Sequence, residues 1–154
     1  MSTEIERKFL INGTSWKAEA EGTFVRQGYL SADEEQTVRV RTIGEEGFLT
    51  IKGPTHGVSR LEFEYSIPLA DAERMLDELC AHPLIEKTRY KIRHRHLVWE
   101  VDEFSGDNEG LVVAEVELSH EDEEISPPDW IGEEVSGDPR YFNSNLSVHP
   151  FTEW

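Results

Sequence analysis

The chain has little of what fastens a protein from outside a hydrophobic core. Its one cysteine, Cys80, excludes an internal disulfide and any multi-cysteine metal site. Seven prolines and 11 glycines among 154 residues exclude collagen-like, mucin-like and wholly disordered chains. No apolar run approaches the roughly 18 residues of a membrane-spanning helix, and the first ten residues lack the basic-then-apolar order of a secretory signal. A soluble, cytoplasmic protein is expected, a single domain over residues 1–154 with a core of its own. Positive charge is scarce too: 15 Lys and Arg stand against 32 Asp and Glu, a net charge of −17. A surface of that average sign repels phosphate, which counts against nucleic acid and anionic membranes as partners.

The few cations are unevenly placed. Eleven of the 15 fall between Arg26 and Arg95, whereas residues 96–154 hold 16 acids and one base, Arg140. Anion chemistry therefore stays open if those bases gather where the acidic exterior does not reach them.

Alternation with period two recurs along nearly the whole chain and predicts eight half-buried antiparallel strands. They are Glu4–Ile11, Phe24–Leu30, Thr37–Ile43, Phe48–Gly53, Ser59–Ile67, Leu84–Arg95, Leu97–Phe104 and Leu111–Ser119. Short connections such as Gly44-Glu45-Glu46-Gly47 suit hairpins. After the fifth strand, Leu69, Ala72, Met75, Leu76, Leu79 and Cys80 repeat at three and four, an amphipathic helix that stops near His82-Pro83. Cys80 on that apolar face is a packing residue. A short helix is expected within Asn12–Gly22, and Asp138-Pro139 reads as the cap and first turn of a helix through Arg140–Leu146.

The charged face of these strands is the informative one. Glu4, Glu6 and Lys8 alternate against Ile5 and Phe9, and Arg39 and Arg41 against Val38 and Val40. Lys52 opposes Ile51, and Arg60, Glu62 and Glu64 oppose Leu61, Phe63 and Tyr65. Lys87, Arg89, Lys91, Arg93 and Arg95 share one side of the sixth strand. Glu100 and Asp102 oppose Trp99 and Val101, and Glu115 and Glu117 oppose Val116 and Leu118. One reading is the solvated outer face of a sandwich. The other is a mainly β (α+β) fold, a closed eight-stranded antiparallel β-barrel with flanking helices, whose charged face lines a lumen. A lumen of that kind must be wet and internally paired, because uncompensated buried charge is costly. Its apolar outer wall would be covered by helices or by a second copy in a homodimer.

Such a lumen suits a compact polyphosphate. Lys8, Arg39, Arg41, Lys52, Arg60, Lys87 and Arg89 could clamp phosphates, arginine through its planar fork and lysine as a point charge. The carboxylates are hard oxygen ligands suited to Mg²⁺ or Mn²⁺. Metal-assisted attack of water on the terminal phosphorus follows as an expected reaction.

The opening Glu4-Ile5-Glu6-Arg7-Lys8 resembles the E-x-E-x-K hallmark of the CYTH superfamily, the triphosphate tunnel metalloenzymes. The later motifs are similar in order over about residues 2–146: Thr37-Val38-Arg39-Val40-Arg41, Thr50-Ile51-Lys52, Arg60-Leu61-Glu62-Phe63-Glu64, Lys87-Thr88-Arg89-Tyr90, Glu100-Val101-Asp102 and Glu115-Val116-Glu117. The resemblance implies that Glu4, Glu6 and Glu117, assisted by Glu115 and Asp102, ligate metal, and that the seven cations hold phosphates. It also implies that Lys8 acts together with a second-strand tyrosine, whose place Tyr29 occupies. The activity so implied is hydrolysis of inorganic triphosphate. Adenylate cyclase, nucleoside or thiamine triphosphatase and non-catalytic polyphosphate binding are the alternatives.

Overall fold

A computed structural model of the protein describes residues 3–33 and 35–154. The strands are β1 (Thr3–Ile11), β2 (Gly22–Ala32), β3 (Thr37–Ile43), β4 (Glu46–Lys52), β5 (Ser59–Ile67), β6 (Ile85–His94), β7 (Leu97–Ser105), β8 (Val112–Glu117) and β9 (Ile131–Glu134). Two α-helices accompany them, α1 (Leu69–Glu78) and α2 (Asn143–Val148). Antiparallel pairing runs β5-β4-β3-β2-β6-β7-β8-β1, and β1 returns to β5, so eight strands close in a ring. Closure removes most of the free edge that could template aggregation.

The closing contact is brief. Only Thr3, Glu4 and Ile5 pair with Leu61, Arg60 and Ser59; further along, β1 takes β9 as its neighbour, with Phe9 opposite Glu134 and Ile11 opposite Ile131. The wall is therefore parted between β5 and the second half of β1. Thr55, Gly57 and Val58 border the opening on one side, and Ser136, Phe142, Asn143 and Ser144 also line it.

Apolar side chains turn outward, as the alternation requires. Phe9, Trp99, Val101 and Val116 pack on the outside of β1, β7 and β8 beneath Trp16 and Trp130. Burial of side chains this size stabilises by about 2–3 kcal/mol each. Around β3 and β4 the cover is α1, whose Ala72 and Leu76 are buried against Val40 together with Cys80. The helix lies so close that a Cβ on Gly47 would stand 2.8 Å from the Ala72 methyl. Among the described residues no helix covers β5, where Leu61, Phe63 and Tyr65, with Ile51 of β4, remain exposed. Inside the ring, Ile85, Phe104 and Val113 meet Tyr141 and Leu146 of the C-terminal segment and fill one end with apolar side chains.

Three elements differ from the sequence expectation. β9 was not foreseen, because its four residues are too short for a period to emerge. The helix expected within Asn12–Gly22 is a single 3-10 turn, Ser15–Glu19, and Gly22 already belongs to β2. The terminal helix expected through Arg140–Leu146 is broken in two. Asp138 caps a 3-10 turn over Pro139–Tyr141 by accepting the Arg140 N–H, but Phe142 is extended (φ −70°, ψ 132°) and α2 starts after it.

Candidate active site

The inward face of the ring gathers the charges that the alternation had set apart. Glu4, Glu6, Arg39, Arg41, Lys52, Glu62, Glu64, Lys87, Arg89, Glu100, Glu115 and Glu117 line one continuous tunnel. Lys8, Tyr29 and Arg60 line its side opening, together with Glu4, Glu6, Arg39 and Lys52. Lys91 lies past the lined stretch, with its side chain 70% exposed.

On β3, Arg39 and Arg41 converge on one acid. Arg39 Nη2 donates to Thr50 Oγ1 at 3.2 Å and to Glu64 at 3.5 Å, and Arg41 Nη2 donates to the same Glu64 oxygen at 3.1 Å. Thr50 adds its hydroxyl to that oxygen at 2.7 Å. One carboxylate thus serves two guanidiniums, and the Nε of each arginine is buried without a partner among the described residues. Burial, and then the like charge of Arg39, pulls the Arg41 pKa down to about 10.

A second group is deeper. Asp102, 1% exposed, accepts from Arg89 Nε and Nη2 at 2.8 and 2.9 Å and pairs with Lys87 Nζ at 2.8 Å. Burial opposes its charge, but Arg89 and Lys87 win and hold its carboxyl below the ordinary range. Lys87 in turn is pulled down to about 8, first by burial, against the attraction of Asp102. Asp102 was expected among the metal ligands, yet both its oxygens are taken by these cations.

At the side opening, Lys8 is buried, donates to the Tyr141 carbonyl at 3.0 Å and pairs with Glu115 at 3.4 Å. Burial works against its charge, and the carboxylates of Glu115 and Glu6 overcome it and raise its pKa. Tyr29 lies on the same opening. Lys52 bridges Glu4 at 3.0 Å and Glu62 at 3.4 Å. Arg60 directs Nε and Nη2 to the Gly53 carbonyl at 3.0 and 2.8 Å.

The carboxylates divide by whether they have a cation. Glu4, Glu62, Glu64, Glu100, Asp102 and Glu115 are ion-paired. Glu6 and Glu117 face each other across β1 and β8 with no ion pair among the described residues. Burial, then the charges of Glu115 and Glu4, lifts Glu6 well above the usual carboxylate range. Burial and the charges of Glu4 and Glu100 lift Glu117 as well. Like charges held opposite each other in a sheet are destabilising. A divalent cation fits that deficit. Among the described residues, no three His, Cys, Asp or Glu side chains are arranged around one point as they stand. The fit is therefore to a divalent ion that one or two carboxylates share with water and phosphate oxygens.

Polar groups also enter from outside the alternating pattern. Asn143 reaches Lys87 at 3.4 Å, and Ser136 Oγ accepts the Lys8 backbone N–H at 2.9 Å. Gln27, fully buried on β2, donates to the Tyr29 hydroxyl at 3.4 Å. Asn143, the first residue of α2, and Ser136 lie in the C-terminal segment, outside the alternating strands. Gln27 was legible only as sharing the parity of Tyr29.

Comparison with known proteins agrees with this geometry. Residues 2–143 match the model of the CYTH domain. An inorganic triphosphatase of Acetivibrio thermocellus is 52% identical over 151 residues, covering 98% of this chain and 97% of that one. One from Nitrosomonas europaea is 40% identical, covering 95% and 97%. The crystal structure of an inorganic triphosphatase superposes with a TM-score of 0.68 at 37% identity, covering 96% of each chain. A putative adenylate cyclase from Bacillus halodurans, 18% identical with a TM-score of 0.62 and covering 79% and 84%, shares the fold alone. Matched by its family model over nearly its whole length, the chain belongs to the CYTH domain family.

Proposed function

We propose that the protein hydrolyses inorganic triphosphate to pyrophosphate and orthophosphate, with Mg²⁺ or Mn²⁺ bound beside the substrate. The observation that carries the reading is the pair of buried, unpartnered Nε donors on Arg39 and Arg41, in a tunnel lined by further cations. A buried donor without an acceptor costs free energy, and phosphate oxygens supply the acceptors. The 52% and 40% identical relatives, both named inorganic triphosphatases, favour an all-phosphate substrate over a nucleotide or thiamine ester.

Glu6 and Glu117 would hold the divalent ion, with Glu4 and Glu115 beside them paired to Lys52 and Lys8. When bound it withdraws charge from phosphate oxygens and makes water more acidic. The chain's own residues do the rest. Arg39, Arg41 and Arg89 fork onto non-bridging oxygens, while Lys52 and Lys87 add point charges along the phosphate chain. Arg60 guards the opening. Asp102 fixes Arg89 and Lys87 instead of ligating metal. Lys8 and Tyr29 are the catalytic pair: the ammonium stabilises charge on the terminal phosphoryl group, and the phenol donates a hydrogen bond to it. Water adds its oxygen to the terminal phosphorus and the bond to the bridging oxygen breaks, its electron pair leaving with pyrophosphate. One water proton stays on orthophosphate and the other is released.

No helix among the described residues is long and apolar enough to cross a membrane. Cytoplasmic residence fits the lone, buried, free thiol of Cys80. The bare face formed by Ile51, Leu61, Phe63 and Tyr65 carries no charged side chain, so two copies of charge −17 would meet there with least repulsion. Sedimentation velocity at micromolar concentration reads that homodimer, and a monomer would remove it.

The function is tested by orthophosphate release from tripolyphosphate, ATP and thiamine triphosphate on one preparation, with and without Mg²⁺ or Mn²⁺. Tripolyphosphate is expected to turn over fastest and only with the divalent ion. Equal rates in excess chelator would remove the metal, and faster ATP hydrolysis would move the reading to a nucleotide. Thermal stabilisation by tripolyphosphate without turnover would leave a binding module.

A further inference from the structure

We propose that Gln27 is a positioning residue of the reaction, holding the Tyr29 hydroxyl so that its proton points into the tunnel. The inference rests on the triphosphatase reading and on Tyr29 acting in it. β2 differs from the other strands of the ring in what it turns inward. In place of alternating charges it presents Val25, Gln27 and Tyr29, opposite Ile43, Arg41 and Arg39 of β3. Gln27 is fully buried, and its Oε1 has no partner among the described residues. A carboxamide with an unmet acceptor is an expensive way to fill a wall, since leucine or methionine would fill it without that penalty.

Among the described residues the amide makes one side-chain hydrogen bond, from Nε2 to the Tyr29 hydroxyl at 3.4 Å, and it is also that hydroxyl's one side-chain hydrogen bond. A phenol carries a single proton and two lone pairs. With its oxygen accepting from Gln27, that proton must turn elsewhere. Tyr29 faces Arg39 across the strands and shares its opening with Lys8, and both are donors that offer no acceptor. Glu4 and Glu6 line the same opening, but neither is hydrogen-bonded to the phenol among the described residues, and a phosphate oxygen in the tunnel is the acceptor that the reaction supplies. Gln27 thus sets the direction in which Tyr29 donates, without touching the substrate.

The test is a double-mutant cycle on the whole protein, read by steady-state kinetics with tripolyphosphate and Mg²⁺ and by thermal melting. Gln27→Leu is expected to lower kcat about tenfold, the worth of one oriented hydrogen bond, with KM held within about twofold. Tyr29→Phe is expected to lower kcat at least as much. Adding Gln27→Leu to Tyr29→Phe should cost less than about twofold more, because the group being positioned is already gone. If Gln27→Leu fails to fold, Gln27→Met, unbranched like glutamine, carries the same comparison. An unchanged kcat in Gln27→Leu, or an equal loss in both backgrounds, overturns the positioning role while leaving Tyr29 in place. A Tyr29→Phe variant with full kcat removes the role of Tyr29 and that of Gln27 with it. Failure of the unaltered protein to release orthophosphate removes the triphosphatase reading itself.

Discussion

Glu6 on β1 and Glu117 on β8 stand directly opposite each other, and both carboxyls are raised above the ordinary range. Every other acid on the tunnel wall has Lys or Arg within reach, so this pair is a local excess of negative charge. Burial and the charges of Glu115, Glu4 and Glu100 raise them, so removing one member relieves a like-charge repulsion of about 0.2–1 kcal/mol. Glu6→Gln and Glu117→Gln are therefore each expected to raise the melting temperature in chelator by about 2 °C. The same variants should lose most of the stabilisation that millimolar Mg²⁺ gives the unaltered protein, because the ion binds the folded state through that pair. Melting curves with and without Mg²⁺ decide it. A variant that melts lower in chelator, yet keeps the full Mg²⁺ shift, would place the ion elsewhere.

Asp102 makes the opposite prediction. Its oxygens are fully committed to Arg89 and Lys87 at 1% exposure, so Asp102→Asn leaves two buried cations short of a counter-charge. Breaking a buried pair from one side costs about 3–5 kcal/mol. Urea unfolding should show a lower midpoint with an unaltered slope, a change in stability and not in the surface exposed on unfolding. The Mg²⁺ dependence of whatever turnover survives should be unmoved. A variant of ordinary stability that needs far more Mg²⁺ would return Asp102 to the ligands.

These two carboxylates also show how far the sequence could be read. Sidedness was legible, because a period of two is a property of the backbone and each charged motif carried it, from Glu4-Ile5-Glu6 to Glu115-Val116-Glu117. That was enough to gather the charges on one face, while closure into a ring stayed one of two readings until the family resemblance was added. Pairing within the lumen was not legible. Alternation puts Asp102 and Glu117 on one face without saying that Arg89 lies beside one and Glu6 beside the other, which depends on register and strand tilt. The C-terminal segment was least legible. Its contacts at Ser136, Tyr141 and Asn143 come from short turns and the start of α2, whose path is set by what they pack against, and extended Phe142 breaks a stretch whose Asp-Pro start reads as one helix. β2 fell between, since Gln27 and Tyr29 keep the period without the charge that marks the other strands.

Where β1 leaves β5, its new neighbour is tied down electrostatically. Arg7 Nε and Nη2 reach Glu134 on β9 at 2.9 and 2.6 Å, and the same acid accepts the Ser136 hydroxyl. The Arg7 hydrogen bond is the main reason the Glu134 carboxyl lies below its ordinary value of 4.5. A carboxyl whose folded pKa is depressed contributes stability that is complete above its unfolded value and is lost as pH falls through the lower, folded one. Both partners are partly exposed, so the pair is worth about 0.2–1 kcal/mol. β9 should therefore loosen from β1 below about pH 4.5, ahead of the ring. Hydrogen exchange at the Val135 amide, which donates to the Lys8 carbonyl across the seam, reads that loosening locally. At neutral pH, Arg7→Met should raise the opening constant, read from this exchange after correction for the intrinsic rate, by about two- to fivefold and flatten its rise on acidification, while amides of the β6–β7 pair stay unchanged. Equal acceleration at β6 and β7 would mean that the whole ring opens together and that the ion pair gives β9 no separate hold.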